Sequence, residues 1–280
     1  MSSSTWVGSA YGLNFAGLDA DRTLFGERRP DAPTVTIGWE ASPATACAGL
    51  AGNDTADLQF LSGQRVRMDR VARTATYSGA RIARDERVHP YLGQVAIVHS
   101  RWLGREAIHA GAFETAGAAW AVVGGRASGK SSVIAALAAR GYSALADDTV
   151  ITDGHRVYAG PRCVDLRHRI PGCAQSVTRA RRDTRWRVRL APAPFAAPLG
   201  GWIFLRWGER VALSPIPPER LIVMLARRRA RTELGSDPGV ILELAGRPGW
   251  FLTHPKSWDC AESSLSLLLE TVTAAIPATL

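Results

Sequence analysis

The stretch "GGRASGKSSVIAALAARGYSALADD", Gly124 to Asp148, holds one of only two lysines in a chain of 280 residues. The chain carries 34 lysines and arginines together, and all but Lys130 and Lys256 are arginine. A lysine kept among glycines and serines against that bias is informative. Gly124, four further residues, then Gly129, Lys130 and Ser131 satisfy the phosphate-loop spacing in full. The apolar run "AWAVV" (Ala119 to Val123) leads into it. A helical stretch follows, with Val133, Ile134 and Leu137 on one face, and it stops at Gly141, where a left-handed residue ends a helix.

Each residue type there has a physical job. The glycines let the backbone turn tightly so that successive N–H groups point inward, and the helix N-terminus adds positive potential for a phosphate. Lysine is a compact charge on a flexible stem, which reaches phosphate from inside a loop where a wide planar guanidinium does not fit. The phosphate-binding set is therefore Gly124, Gly125, Arg126, Ala127, Ser128, Gly129, Lys130, Ser131 and Ser132, with ATP as the nucleotide and Ser131 as a ligand for Mg2+. Arg126 faces either phosphate or solvent.

Asp147 and Asp148 close the stretch, just after the short strand "YSALA". A strand neighbouring the loop would deliver them beside the γ-phosphate, where a carboxylate is useful; the alternative is a polar loop start, where aspartate is common for turn chemistry. Successive strand residues face opposite ways, so the two serve one centre only if the chain turns between them. One of the two faces the metal and the phosphate. Upstream, "AIHAGAF" and "AWAVVGG" read as a hairpin turning at Gly117. His109 on its first strand is either a core histidine or a site residue.

Further out, "TVTIGW" (Thr34 to Trp39) reads as a strand, and Arg65 to Arg84 supplies strands of a half-exposed antiparallel sheet. The first thirty residues and residues 40–57 read as irregular. A helix is expected over Pro90 to Leu103, with the proline in its first turn. "TVIT-DG-HRVY" signals a hairpin at Asp153-Gly154. Pro171 to Leu199 reads as a loop, "GWIFLRW" and "GWFLT" as strands, and Glu262 to Ala275 as a closing helix. "RRRAR" (Arg227 to Arg231) after "ERLIVMLA" reads as a solvated helix end, with binding of an acidic peptide or of the nucleotide as the functional alternative. The expected fold is α/β: a β-rich N-terminal region over residues 1–88, then a P-loop core with a mixed sheet over 89–280.

Composition bounds the rest. An apolar content of 46% supplies a core, and a net charge of +9 suits an anionic partner. Arginine enrichment of this kind also reflects genome-wide composition, so charge alone does not argue for nucleic acid. Cys47, Cys163, Cys173 and Cys260 show no CxxC spacing and read as free thiols of a cytoplasmic protein. No apolar run reaches the roughly 18 residues of a membrane span. His89, His99, His155, His168 and His254 lack zinc-ligand spacing. The nine tryptophans read as core rather than as a stacking platform.

The arrangement "IHAGAF…VVGGRASGKSS…LAARGYSALADD" resembles the catalytic core of the HPr kinase/phosphorylase family over about residues 105–150. It is also similar to the HPr-kinase-like proteins encoded with ribosomally made peptides, notably lasso peptides. The resemblance implies that Asp147 is the base that activates a serine hydroxyl, which leaves Asp148 to support the metal shell, and that His109 matches the family histidine. It also aligns "VDLRH", with Asp165 and Arg167, with a family carboxylate and arginine. The family's following glycine-rich signature is absent, and Gly125 stands where the family has an aspartate. Both departures point to a one-way kinase.

The expected activity is transfer of the γ-phosphoryl of ATP to a serine of a peptide or small protein, such as a lasso-type precursor. A phosphocarrier-type regulatory kinase, an ATP- or GTP-hydrolysing switch and a non-enzymatic nucleotide-binding accessory protein are the rivals. No membrane partner is expected, and homo-oligomerisation stays open.

Overall fold

The computed structural model describes residues 6–40, 53–170, 177–181, 184–235 and 237–275. It opens with a hairpin, β1 (Val7–Ala10) and β2 (Leu13–Ala16), turning through Tyr11 and Gly12 at φ +57° and +73°. Two successive positive φ values make the hairpin turn whose twist matches its strands. This corrects the irregular reading of the first thirty residues. A buried tyrosine stands before the glycine where Asn or Asp would have signalled the turn.

β3 (Thr34–Glu40) lies parallel to β2, and β4 (Thr55–Gln59), β5 (Arg65–Asp69) and β6 (Thr74–Ser78) form an antiparallel meander whose last strand lies parallel to β3. The sheet order is β1-β2-β3-β6-β5-β4. It is thus mixed rather than purely antiparallel, and Thr55 to Asp57 are strand, not loop; residues 41–52 of the expected loop lie outside the described residues. A single turn α1 (Arg84–Glu86) leads to the expected helix, α2 (Leu92–Trp102). Leu92, Val95, Ala96 and Val98 of α2 share an apolar cluster with Phe15, Val35 and Val66 of the sheet.

The chain then continues through β7 (Glu106–Ile108), β8 (Ala110–Thr115), β9 (Ala118–Val123), α3 (Lys130–Ala139) and β10 (Ser143–Ala146). Next come β11 (Val150–Thr152), β12 (Arg156–Tyr158), β13 (Cys163–Leu166), β14 (Val177–Ala180), β15 (Arg185–Arg189) and β16 (Ala196–Trp207). It closes with β17 (Ala212–Pro215), α4 (Pro218–Ala226), α5 (Pro238–Ala245), β18 (Gly249–His254) and α6 (Ala261–Ala274). Nine of these strands form a second mixed sheet, β10-β8-β9-β16-β12-β11-β7, with β18 on β16 and β17 outside it.

β9 shows how this sheet is covered. Ala119, Ala121 and Val123 pack with Leu221, Leu225 and Leu244 of α4 and α5, whereas Trp120 and Val122 pack with Ile134, Leu137, Leu265 and Leu268 of α3 and α6. The period-two alternation of an entirely buried strand puts helices on both faces, which is a mixed α/β fold. Among the described residues no helix is long and apolar enough to cross a membrane.

Three expectations need correction. The strand expected at "AIHAGAF" is divided at His109: β7 pairs with β11, and β8 with β9 and β10. Much of the expected loop from Pro171 to Leu199 is strand, because β13, β15 and β14 make a third sheet. Two arginines at this sheet, Arg169 and Arg179, are exposed but lie over the Trp186 ring at 4.3 and 4.0 Å, and the buried Arg187 pairs with Asp165. Residues 171–176, 182 and 183 of that segment lie outside the described residues.

Nor is "RRRAR" solvated throughout: Arg227, which caps α4, is exposed, but the arginines after it turn back onto the protein. Arg229 bridges to Ile108 at the sheet edge, and its Nε donates to Glu106 Oε2 at 3.1 Å, where Arg101 also pairs. The Glu106 side chain is 1% exposed, and a carboxylate so buried requires paired cations. Cys163 and Cys260 are free thiols, the first with its pKa pushed up to about 12 by burial; Cys47 and Cys173 lie outside the described residues.

Candidate functional site

β16 runs parallel to β9, and β18 parallel to β16. β8 is antiparallel to both β9 and β10, so β10 also runs with β9. The C-terminal ends of these four strands therefore open on one edge of the sheet, where ligands of α/β folds bind. They deliver, in spatial order, Asp147 and Asp148, the loop 124–129, Trp207 and His254. A cavity of about 820 Å3 lies over them, within the size range of small-molecule sites.

The loop is tightly wound. Ala127 and Gly129 have φ of +63° and +96°, Ser128 N donates to Gly125 O at 3.2 Å, and Val133 N donates to Gly129 O at 2.8 Å. A Cβ on Gly124 would stand 2.2 Å from Ser128 Oγ, whereas one on Gly125 would meet nothing within 4 Å. Gly124 is therefore a packing requirement and Gly125 is not. Lys130 is buried, and its Nζ donates to Gly124 O at 3.0 Å and Gly125 O at 3.1 Å. Burial lowers its pKa, and the charges of Asp148 and Asp147 oppose that shift. An ammonium held inside a loop by two carbonyls, with no carboxylate bonded to it among the described residues, suits an incoming phosphate. Arg126 and Ala127 are exposed on the loop, Ser128 is buried under it, and Ser132 lines the cavity.

Ser131, in the first turn of α3, donates through Oγ to Asp147 Oδ1 at 2.9 Å. Burial pushes the Asp147 carboxyl up to about 7, reinforced by the neighbouring charge of Asp148 and opposed by the Ser131 hydrogen bond. Asp148 has a φ of +66°, so the chain turns between the two aspartates and both line the same cavity. That is the turn a regular strand would not have supplied.

His109 holds this turn in place. Its backbone N–H donates to Arg228 O at 2.8 Å, and its ring Nδ1–H donates to Asp148 O at 2.9 Å and lies 3.3 Å from Asp148 Oδ1. His89 Nε2 stands 3.9 Å from the other Asp148 oxygen, and burial lowers the His89 pKa. Asp165 and Arg167 line the cavity too, but the Asp165 carboxylate is committed to Arg187 by two hydrogen bonds of 2.7 Å.

Arg126 to Ser132 of the loop and its helix, the aspartate pair and His109 thus line one cavity, whereas Gly124 and Gly125 lie behind its lining. His89, Trp207 and His254 escape a reading by spacing, because they come from a bend and from strands distant in sequence. Trp120 and Trp202 are fully buried, whereas Trp207 is 43% exposed and lies against His254, with ring centroids 4.4 Å apart. Both approach Gly129. Parallel pairing of β16 with β9 is the fact that would have found them.

Among the described residues no three His, Cys, Asp or Glu side chains are grouped for a metal. Mg2+ in phosphate-transfer sites takes one or two protein ligands and completes its shell with phosphate oxygens and water. Ser131 and Asp148 fit that modest donor set.

No protein-family model matches the chain, and no curated protein matches it. Among solved structures, the HPr(Ser) kinase/phosphatase from Coxiella burnetii aligns over 60% of this chain and 97% of its own, with 10% identity and a TM-score of 0.32. A likeness that slight carries no functional argument, which leaves the chemistry to the site itself.

Proposed function

We propose that the chain is an ATP-dependent phosphotransferase that phosphorylates a serine of a peptide or small protein, with a ribosomally made, lasso-type precursor as the acceptor the sequence resemblance suggests. The observation that carries the reading is the placement of Lys130, Ser131, Asp147 and Asp148 in one cavity, with the Asp147 pKa at about 7. A proton acceptor works best with a pKa near the operating pH.

Lys130 and the loop N–H groups bind the phosphates of ATP. Mg2+, held through Ser131 and Asp148, supplies charge neutralisation of those phosphates. Asp147 takes the proton of the serine hydroxyl while the serine oxygen bonds to the γ-phosphorus and the bond to the β–γ bridging oxygen breaks, leaving ADP. His109 orients Asp148 through its backbone and carboxylate. Trp207 and His254 offer an apolar wall beside Gly129 for the base of the nucleotide.

The Ser131–Asp147 hydrogen bond favours a second allocation within the same activity. In that allocation Asp147 joins Ser131 at the metal, and Asp148, flanked by two histidines, faces the acceptor. The test is incubation of the purified chain with Mg·ATP and serine peptides encoded beside its gene. Mass spectrometry is expected to show a phosphoryl group on serine. Release of inorganic phosphate alone would favour the ATP-hydrolysing rival, and neither product would favour an accessory protein.

A further inference from the structure

Four arginines crowd one end of the three-stranded sheet and the adjoining loop, all lining the cavity: Arg126, Arg167, Arg181 and Arg185. Register explains the crowding. Leu166 pairs with Trp186, so Arg167, the residue after Leu166, lies beside Arg185, the residue before Trp186. Arg185 is in turn paired with Ala180, which precedes Arg181. Like charges set side by side across strands are destabilising, so such an arrangement needs an offsetting interaction.

None is found within the described residues. The side chains of these four arginines make no ion pair there, and Arg185 donates only to the carbonyl of Thr184, at 2.9 Å. Asp165 is 2% exposed and already neutralised by Arg187, and the Asp85 carboxylate accepts from the main-chain N–H of Arg181 without pairing with its guanidinium. Burial lowers the Arg185 pKa, and the charges of Arg181, Arg167 and Arg126 lower it further, which independently places the four groups within electrostatic reach of one another. The neighbouring arginines of the same sheet are spent differently, on the Trp186 ring and on Asp165.

A bound nucleotide does not account for all of this charge. Its phosphates already have the loop N–H groups, Lys130 and the start of α3. Arg185 opens β15 of the third sheet, and Arg167 and Arg181 stand just past the ends of its strands β13 and β14; β13 packs on α3. We infer that Arg167, Arg181 and Arg185 form a docking site for carboxylates flanking the acceptor serine, so that the second substrate is an acidic peptide segment. This rests on the phosphotransferase reading of the cavity for its link to catalysis, but the binding site itself can be tested apart from it.

The probes are two fluorescent serine-centred peptides, one with glutamate on both sides and one with glutamine. Anisotropy is read with the full chain, with and without Mg2+ and a non-hydrolysable ATP analogue. The glutamate peptide is expected to bind about tenfold more tightly than the glutamine peptide, as charge-pair contacts predict. In Arg181→Gln/Arg185→Gln that preference is expected to shrink to within about twofold, with the affinity for the analogue retained. Removing mutually repelling charges also predicts a melting temperature at low salt equal to or above that of the parent chain, which separates the effect from misfolding.

Equal binding of the two peptides by the parent chain would overturn the proposal. So would a double variant that loses the ATP analogue while keeping the peptide preference, because the arginines would then serve the nucleotide. Failure of the parent chain to bind the analogue would instead remove the phosphotransferase reading, and the peptide preference measured without nucleotide would still decide the docking site.

Discussion

Ser131 Oγ lies 2.9 Å from Asp147 Oδ1, joining the first turn of the loop helix to the end of the strand that follows it, sixteen residues on. The bond places a potential metal ligand against a carboxylate whose pKa stands at about 7. It therefore makes the division of labour between Asp147 and Asp148 an experimental question. Asp147→Asn is expected to keep affinity for Mg·ATP within a few-fold while lowering phosphoryl transfer by about 100-fold or more, since an amide accepts no proton. Calorimetry and single-turnover transfer measure the two quantities. The reverse allocation is correct if Asp148→Asn is the variant that loses turnover with binding intact.

Ionisation of Asp147 also sets a pH dependence. The group must be unprotonated to act as a base, so transfer is expected to rise with pH through about 7 on its acid limb. For stability the sign is opposite. The folded chain holds this proton more tightly than the unfolded chain, whose aspartate has the ordinary value of 3.8, so the contribution of Asp147 declines as pH rises from about 4 to 7. Asp147→Asn is therefore expected to raise the melting temperature at pH 8 and to change it little at pH 4. Thermal melts at the two pH values check this.

Lys130→Ala is expected to weaken Mg·ATP binding by roughly 100-fold, the scale of losing one partner of a buried, hydrogen-bonded charge pair. Lys130→Arg is expected to fail similarly, because Gly124 O and Gly125 O receive a compact ammonium whose place a wide planar guanidinium does not take. Titration calorimetry measures both.

Gly124 and Gly125 are adjacent in sequence but unequal in the fold. Gly124→Ala drives a methyl into Ser128 Oγ and is expected to abolish nucleotide binding, whereas Gly125→Ala meets open space and is expected to bind within about threefold of the parent chain. Nucleotide titrations on the pair test whether the loop geometry, rather than glycine content, makes the site.

His109→Ala removes the ring that anchors Asp148 in its left-handed conformation. Transfer is expected to fall by about tenfold with nucleotide affinity unchanged, since the loop is untouched. A parallel loss of nucleotide affinity would place His109 in binding instead.

The chain's own sequence determined the local parts of this site. The spacing Gly124, Gly129, Lys130, Ser131 carries its meaning in backbone conformation and charge, which act over a few residues, and the helix ending at Gly141 and the strand before Asp147 follow from periodicity and turn chemistry. The β1–β2 turn at Tyr11-Gly12 was hidden because a buried tyrosine does not look like a turn residue. What only the tertiary structure decided is which distant segments share the cavity. Strand order brings Trp207 and His254 beside the loop, a left-handed Asp148 turns both aspartates inward, and cross-strand register sets Arg167 beside Arg185. These relations depend on hydrogen bonding between strands far apart in sequence. The periodicity of each strand records which face is buried but not which neighbour it meets.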